Sequence, residues 1–213
     1  MSRLRVTEIF HSLQGESRSV GWPTVFVRLA GCPLRCEYCD TAYAFKGGEW
    51  MDVQEIHQQI GIYGCRHVTV TGGEPLAQKE AWPLLVSLCD AGYETSVETS
   101  GSLDISAIDP RVSIVMDIKT PGSGEVEKNR WENLSLLSEK DQIKLVIAHR
   151  EDYEWARKQL QDRQLAEITE VLFSPVQGQL APVDLADWIL QDCLPVRFQL
   201  QLHKILWGDQ PGR

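Results

Sequence analysis

Strand-length apolar runs alternate with longer segments of helical periodicity along this chain, and this alternation is the strongest constraint on its fold. The predicted strands cover residues 24–30, 67–71, 93–98, 112–116, 142–147, 170–173 and 196–202. One predicted helix begins at Asp52, and the others cover 79–91, 129–137, 151–165 and 182–191. Alternation of this kind is typical of a parallel sheet whose crossover helices lie outside it.

The chain length decides between the architectures that fit this pattern. A complete eight-unit barrel needs about 250 residues, and the chain has 213. We therefore expect an α/β fold: one domain over residues 1–213, folded as an incomplete TIM-like barrel of six to seven mostly parallel strands with helices outside. A doubly wound sheet is the alternative, but no glycine fingerprint of that fold follows the first predicted strand.

Charge and hydropathy exclude several classes of protein. The formal net charge is −9, which argues against non-specific binding to nucleic acid or to an anionic membrane. No apolar run approaches the ~18–20 residues of a membrane span. The first residues lack the hydrophobic region of a secretion signal. We therefore expect a cytoplasmic protein whose cysteines stay reduced.

Polar and glycine-rich residues cluster directly after the predicted strands. A cysteine segment follows the first strand, Gly72-Gly73-Glu74-Pro75 the second and Thr99-Ser100-Gly101 the third. Asp117-Ile118-Lys119 follows the fourth, and His203-Lys204 the last. Because sites in parallel α/β folds form at the carboxyl ends of strands, we expect these segments to converge on one cavity.

Three cysteines, Cys32, Cys36 and Cys39, have the spacing C-x3-C-x2-C. The remaining cysteines are isolated: Cys65, Cys89 and Cys193 fit buried structural positions better than ligand positions. Thiolates favour zinc or iron–sulfur clusters, and a structural zinc site requires four ligands. Three thiolates suit a [4Fe–4S] cluster with one open iron, and a zinc clip or a chance arrangement is the competing interpretation.

Further motifs carry a resemblance to a known family. Tyr38 directly precedes the last cysteine, and together with the Gly-Gly-Glu-Pro segment this is similar to the signature of radical S-adenosylmethionine (SAM) enzymes. The segment TEIFHSLQGE at 7–16, FVRL at 26–29 and CDT at 39–41 resemble more narrowly the 7-carboxy-7-deazaguanine synthase family. Ser17 departs from the glycine that many members have after the Gln-Gly-Glu run, and we expect little functional effect from it.

The resemblance implies a reaction and its partners. Members convert 6-carboxy-5,6,7,8-tetrahydropterin to 7-carboxy-7-deazaguanine with loss of ammonia, in 7-deazapurine (queuosine) biosynthesis. The implied cofactors are a [4Fe–4S] cluster, SAM and Mg²⁺. The implied partners are the pterin substrate, an electron donor such as flavodoxin and a second copy of the chain in a homodimer, with neither nucleic acid nor membrane bound directly.

The resemblance also implies a role for each matching residue. The cluster ligands would be Cys32, Cys36 and Cys39, and Thr41 would bind Mg²⁺, with Asp40 as the competing ligand. SAM would contact Tyr38, Cys39, Asp40, Gly73, Glu74, Ser100, Asp117 and Lys119. The pterin would contact Leu13, Gln14, Gly15, Arg28, Thr71 and His203. Since SAM supplies the radical, no side chain is assigned a catalytic role.

Each of these residues also has an ordinary structural interpretation. Without the resemblance, Arg28 would be a strand residue facing solvent or a salt-bridge partner, and Gln14-Gly15 would be a turn. Two other functions also fit the cysteine spacing. One is an activase that installs a glycyl radical on a partner protein, and the other is an electron carrier or zinc-stabilised module.

Overall fold

Nine strands form one sheet in the computed structural model, which describes residues 3–208, 210 and 212. The sheet order is β3-β1-β2-β4-β5-β6-β7-β8-β9. The strands are β1 Arg3–Leu13, β2 Pro23–Leu29, β3 Glu49–Asp52, β4 His67–Gly72, β5 Glu94–Thr99, β6 Ser113–Ile118, β7 Gln142–Ile147, β8 Glu170–Pro175 and β9 Arg197–Phe198. From β2 through β4 to β9 every neighbouring pair is parallel, whereas β1 is antiparallel to both β2 and β3.

The predicted incomplete barrel is therefore confirmed. Seven parallel strands form its wall, and β3 and β9 are the two edges of an open sheet. Strands β1 and β3 were not predicted. The first mixes charged and apolar residues without strict alternation, and the second has only four residues.

Helices cover the outer face of the sheet. They are α1 Val53–Gly61, α2 Ala81–Asp90, α3 Arg150–Asp162, α4 Leu165–Ile168 and α5 Pro182–Gln191. A sixth helix, α6 Leu202–Trp207, lies at the cavity instead. The first begins where predicted, because Asp52 and Glu55 form a capping box. Ile56 and Ile60 of this helix are fully buried in the core. No helix among the described residues is long and apolar enough to cross a bilayer.

The strands divide their side chains between the helical layer and the barrel interior. On β4, Val68 and Val70 belong to the hydrophobic core, whereas Thr71 lines an interior cavity. On β7, Ile143 and Leu145 belong to the core, and Lys144 lines the same cavity. Since side chains alternate across a strand, the barrel interior is polar and can bind a polar ligand.

Two predicted elements are wrong. The expected helix at 129–137 consists of 3₁₀ turns, Val126–Lys128 and Trp131–Leu136. Its amides bind neighbouring loops instead: Asn129 pairs with the backbone of Lys119, and Asn133 donates to the carbonyl of Gly101. The expected strand at 196–202 pairs only at Arg197–Phe198 and then becomes α6.

The isolated cysteines are only partly as expected. Cys65 and Cys89 are half-buried and pack against the core. Cys193 is exposed and has a φ of 48°, so its predicted burial is wrong. It follows the end of α5 in a left-handed turn, where its side chain leaves the apolar stripe of the helix.

Candidate active site

A cavity of about 530 Å³ lies at the carboxyl ends of the parallel strands. The loops after β2, β4, β5 and β6 contribute to it, together with the loop after β1 and the segment that leads into α6. A second cavity, of about 850 Å³, lies near the opposite ends of the strands, and none of the predicted site residues lines it. The cavity on which the segments after the strands were predicted to converge is therefore the first one.

Nearly all predicted site residues meet in this cavity. Those that line it are Leu13, Gln14, Gly15, Arg28, Cys32, Cys36, Tyr38, Cys39, Asp40, Thr41, Thr71, Gly73, Ser100, Asp117, Lys119 and His203. Glu74 is absent from the described lining. Their placement is compatible with the predicted roles, and the roles themselves stay predictions.

The three clustered cysteines lie on the loop after β2, and all are half-buried. Burial raises the pKa of each thiol, to about 11 for Cys36. Among the described residues, no three His, Cys, Asp or Glu side chains converge on a point where one metal ion could bind. Three half-buried thiols on one loop are soft ligands, and this donor set fits a [4Fe–4S] cluster.

The glycine-rich loop after β4 packs directly on the cysteine loop. A Cβ at Gly73 would lie 2.4 Å from the carbonyl oxygen of Gly31 and 2.7 Å from Cys32 Cβ, so no larger residue fits here. The backbone N–H of Glu74 donates to the Gly31 carbonyl at 2.9 Å. The backbone of the Gly-Gly motif is thereby held beside the cysteines.

The side chain of Glu74 has a different environment from the one expected. It is fully buried, and its carboxylate accepts hydrogen bonds from Thr99 Oγ1, from the backbone N–H of Leu76 and from both the N–H and the hydroxyl of Ser100. With its acceptors directed into the protein, this carboxylate holds the loops after β4 and β5 together. The predicted contact of Glu74 with SAM stays a prediction.

Residues around the last cysteine form a separate polar group. Thr41 Oγ1 donates to Asp40 Oδ1 at 2.8 Å, and Lys204 Nζ lies 3.6 Å from Asp40 Oδ2. Tyr38 Oη lies 3.3 Å from Thr120 Oγ1, and burial raises the pKa of Tyr38 to about 12. Thr41 and Asp40 thus present neighbouring oxygens, the ligand type that Mg²⁺ prefers.

A buried network of charges lies in the cavity wall. Lys119 Nζ and Lys144 Nζ lie 3.1 and 3.6 Å from Asp117 Oδ2, and Lys144 also forms an ion pair with Glu16. Burial alone would lower the pKa of both lysines, but the facing carboxylates raise it, so both stay charged. Within the described part of the chain, Asp117 Oδ1 has no hydrogen-bond partner. This acceptor fits a polar group of a bound cofactor.

Gln14 and Arg28 are both engaged by protein groups. The Gln14 amide donates to Glu98 Oε1 at 3.2 Å and to Thr69 Oγ1 at 3.3 Å, and its own oxygen accepts from the N–H of Glu16. Arg28 Nε donates to Glu8 Oε1 at 2.7 Å. The salt-bridge interpretation of Arg28 is therefore correct, and the same side chain lines the cavity.

Several polar residues of the cavity wall were not predicted as site residues, among them Glu16, Glu98, Lys144 and Gln201. Glu98 Oε2 accepts from Thr71 Oγ1 at 2.8 Å, which directs its carboxylate across the interior. The sequence contains a signal for two of them. Lys144 is a charged residue inside the otherwise apolar β7, and Glu98 lies on β5; both occupy positions that alternate with buried residues.

Comparisons with known proteins agree with this geometry. The Radical SAM superfamily model matches residues 26–117. A Chlorobaculum tepidum protein named 7-carboxy-7-deazaguanine synthase is 45% identical over 96% of this chain and 94% of its own length. One of the same name from Koribacter versatilis is 42% identical over 97% and 98%. The crystal structure of QueE from Escherichia coli has the same fold, with a TM-score of 0.75, 24% identity and coverage of 95% and 96%.

Proposed function

The chain belongs to the 7-carboxy-7-deazaguanine synthase family of radical SAM enzymes, and on that premise we propose how its cavity performs the family's reaction. It is a lyase of 7-deazapurine biosynthesis, which converts 6-carboxy-5,6,7,8-tetrahydropterin to 7-carboxy-7-deazaguanine with release of ammonia. The observation that carries the assignment of residues is the convergence of the cysteine loop, the glycine motif and the loop after β1 on one cavity.

Cys32, Cys36 and Cys39 would hold the [4Fe–4S] cluster. When bound, the cluster and SAM would supply the radical chemistry of the reaction. The backbone at Gly73 accepts the methionine ammonium, and Asp117 offers its unpaired Oδ1 to a polar group of SAM. The remaining SAM contacts come from Tyr38, Asp40, Ser100 and Lys119, all of which line the cavity.

The pterin binds between the loop after β1 and the interior ends of β4 and β5. Since the Gln14 side chain is used within the protein, the backbone at Leu13 and Gly15 provides the donors and acceptors for the pterin edge. The Glu98 carboxylate accepts hydrogen bonds from the N–H groups of a 2-aminopyrimidinone edge. Thr71 contacts the pterin from the end of β4.

The substrate carboxylate binds on the opposite side of the cavity. Arg28 keeps its Nε on Glu8 and directs its terminal nitrogens to the carboxylate, a bidentate pair that an arginine fork favours. His203 closes the cavity from the C-terminal segment. The Thr41 hydroxyl would bind Mg²⁺, and Asp40 is the neighbouring candidate ligand.

The cellular setting follows from the same chemistry. An oxygen-sensitive cluster requires a reducing compartment, so the enzyme works in the cytoplasm. A small electron donor such as flavodoxin reduces the cluster, and the enzyme works as a homodimer. The electron donor and the homodimer follow from the family resemblance.

Anaerobic reconstitution with iron and sulfide tests the proposal. We expect oxygen-sensitive cluster absorbance and, with SAM, reductant and Mg²⁺, release of ammonia from the carboxypterin. Cys36→Ser should lose the cluster and the activity, whereas Cys65→Ser, which alters a half-buried cysteine outside the cavity lining, should keep both. Tightly bound stoichiometric zinc without iron would contradict the cluster.

Thr41→Ala tests the magnesium ligand. This variant should raise the Mg²⁺ concentration needed for half-maximal rate, and an unchanged Mg²⁺ dependence would refute Thr41 as a ligand.

A further inference from the structure

The side-chain amide of Gln199 binds both backbone groups of Ser17. Gln199 Oε1 accepts from the Ser17 N–H at 2.7 Å, and Gln199 Nε2 donates to the Ser17 carbonyl at 2.9 Å. Gln199 is 4% exposed and Ser17 3%. The amide therefore satisfies a buried donor and a buried acceptor that would otherwise be unpaired.

The two preceding residues of the same loop, Gly15 and Glu16, also bind the segment around Gln199. Gln201 Nε2 donates to Glu16 Oε1 at 2.6 Å, and the N–H of Leu202 donates to the Gly15 carbonyl at 2.9 Å. Three consecutive loop residues are thus tied to residues 199–202. We call this set of contacts the clasp.

The clasp bridges the open side of the barrel. Loop 14–17 follows β1, near one edge of the sheet, and residues 199–202 follow β9, the other edge strand. The last strand pairs with β8 at Arg197 and Phe198, and the N–H of Gln199 donates to the Phe173 carbonyl of β8 at 2.9 Å. Among the described residues, the next backbone N–H that donates outside this segment is that of Leu202, to Gly15. Beyond Gln199, the contacts to the loop therefore determine where the chain lies.

His203 directly follows the clasp and lines the cavity. It packs so closely on the loop that a Cβ at Gly15 would lie 2.2 Å from its Nδ1. Gln199 itself does not line the described cavity. It can therefore influence the substrate only through the segments that it joins.

We propose that Gln199 is a positioning residue, which sets substrate affinity by holding loop 14–17 and His203 in one arrangement across the open side of the barrel. The inference rests on the proposed pterin site. The amide is suited to this task because it both donates and accepts; a carboxylate of the same size would only accept, and a thioether would do neither.

Gln199→Met tests the proposal, because it keeps the side-chain volume and removes both hydrogen bonds. Tyr153→Phe is the matched control: Tyr153 is buried outside the cavity lining, and its hydroxyl bonds the Trp188 carbonyl and Asp192. We expect Gln199→Met to raise KM for the carboxypterin about tenfold, as the loss of two hydrogen bonds predicts, with kcat changed less than about twofold. Tyr153→Phe should change neither constant.

A second readout does not depend on the substrate. Trypsin should cleave after Lys204 faster in Gln199→Met than in Tyr153→Phe at equal thermal stability. If the wild-type enzyme does not convert the carboxypterin, the proposed function fails, and trypsin cleavage alone decides about the clasp. Equal cleavage, or an unchanged KM in an enzyme that turns over, would overturn the proposal.

A milder variant serves if Gln199→Met does not fold. Gln201→Met removes only the bond to Glu16 at a half-buried position. We expect KM to rise about threefold, which corresponds to the loss of one hydrogen bond. An unchanged KM, with unchanged trypsin cleavage after Lys204, would overturn the proposal as well.

Discussion

Ser100 donates two hydrogen bonds to one oxygen of the Glu74 carboxylate, from its backbone nitrogen at 2.7 Å and from its hydroxyl at 2.5 Å. Thr99 Oγ1 donates to both oxygens of the same carboxylate, at 2.9 and 3.0 Å. Hydrogen bonds to an ionised acceptor are stronger than those between neutral groups. Glu74 therefore joins the glycine motif to the loop after β5 from within the protein.

Glu74→Gln is expected to destabilise the protein by about 2–3 kcal/mol, since an amide nitrogen would face donors where the wild type has an acceptor. SAM affinity should fall in parallel, because the same loops form its pocket. Urea denaturation of the apoprotein and a SAM binding titration of the reconstituted enzyme measure the two effects. Glu132→Gln, at an exposed position, should change neither. A large loss of SAM affinity at unchanged stability would show that the carboxylate contacts SAM directly.

Ser17 has a φ of 67°, in the left-handed region that favours glycine. Glycine adopts this conformation readily. Serine is tolerated here because its hydroxyl lies within hydrogen-bond distance of Ser19 Oγ, at 2.9 Å. Ser17→Gly should therefore change the free energy of unfolding by no more than about 1 kcal/mol. Ser17→Val should destabilise by about 2 kcal/mol or more, because a β-branched residue fits this region poorly. Equal stabilities of both variants in urea denaturation would contradict this.

The parallel wall of the barrel could be predicted from sequence because most of its strands are short runs of apolar or β-branched residues bounded by polar or glycine residues. The wrong predictions concern segments whose structure depends on side chains that are distant in the sequence. Residues 196–202 alternate like a strand, but beyond the N–H of Gln199, which still binds β8, the Gln199 side chain and the N–H of Leu202 bind loop 14–17. No local pattern contains that information.

The candidate site divides in the same way. Cys32, Gly73 and their neighbours could be predicted because their spacing is a local signature. The role of Glu74 in joining two loops could not, since its partners, Thr99 and Ser100, follow a different strand. Lys144 was missed because a single lysine in an apolar strand is also typical of an edge strand, and only the sheet order places it inside the barrel.

Lys144→Met should destabilise the protein by about 3–5 kcal/mol at neutral pH, because it leaves the buried Glu16 carboxylate without its charge partner. The two side chains are only 13% and 9% exposed. Lys158→Met is the control: Lys158 pairs with Asp162 on the surface of α3, with side chains 68% and 52% exposed, and its loss should have little effect. Urea denaturation of both variants gives the comparison.

The pH dependence of this effect has a definite sign. In the wild type, burial raises the pKa of Glu16, but Lys144, with smaller contributions from Gln201 and His203, more than offsets it, and the net pKa is lowered. The wild-type pair therefore stabilises the fold above the unfolded pKa of Glu16, and this stability is lost as pH falls through the folded pKa. Without Lys144, burial dominates and raises the pKa, so the variant loses stability as pH rises. The difference between the two proteins should grow from pH 4.5 to 7, and a constant difference would refute the pairing.

Gly15→Ala should move His203 out of the cavity, because a Cβ at Gly15 would lie 2.2 Å from His203 Nδ1 and 3.2 Å from its backbone nitrogen. We expect KM for the carboxypterin to rise and stability to fall by about 1–3 kcal/mol, the usual cost of overpacking. Gly61→Ala is the matched control: Gly61 ends α1, and nothing lies within 4 Å of its built Cβ. That variant should gain up to about 1 kcal/mol, since alanine favours the helix, with KM unchanged. Steady-state kinetics and thermal unfolding of both variants decide the matter. If KM at Gly15→Ala equals that of Gly61→Ala while stability drops, His203 packs on the loop without contacting the substrate.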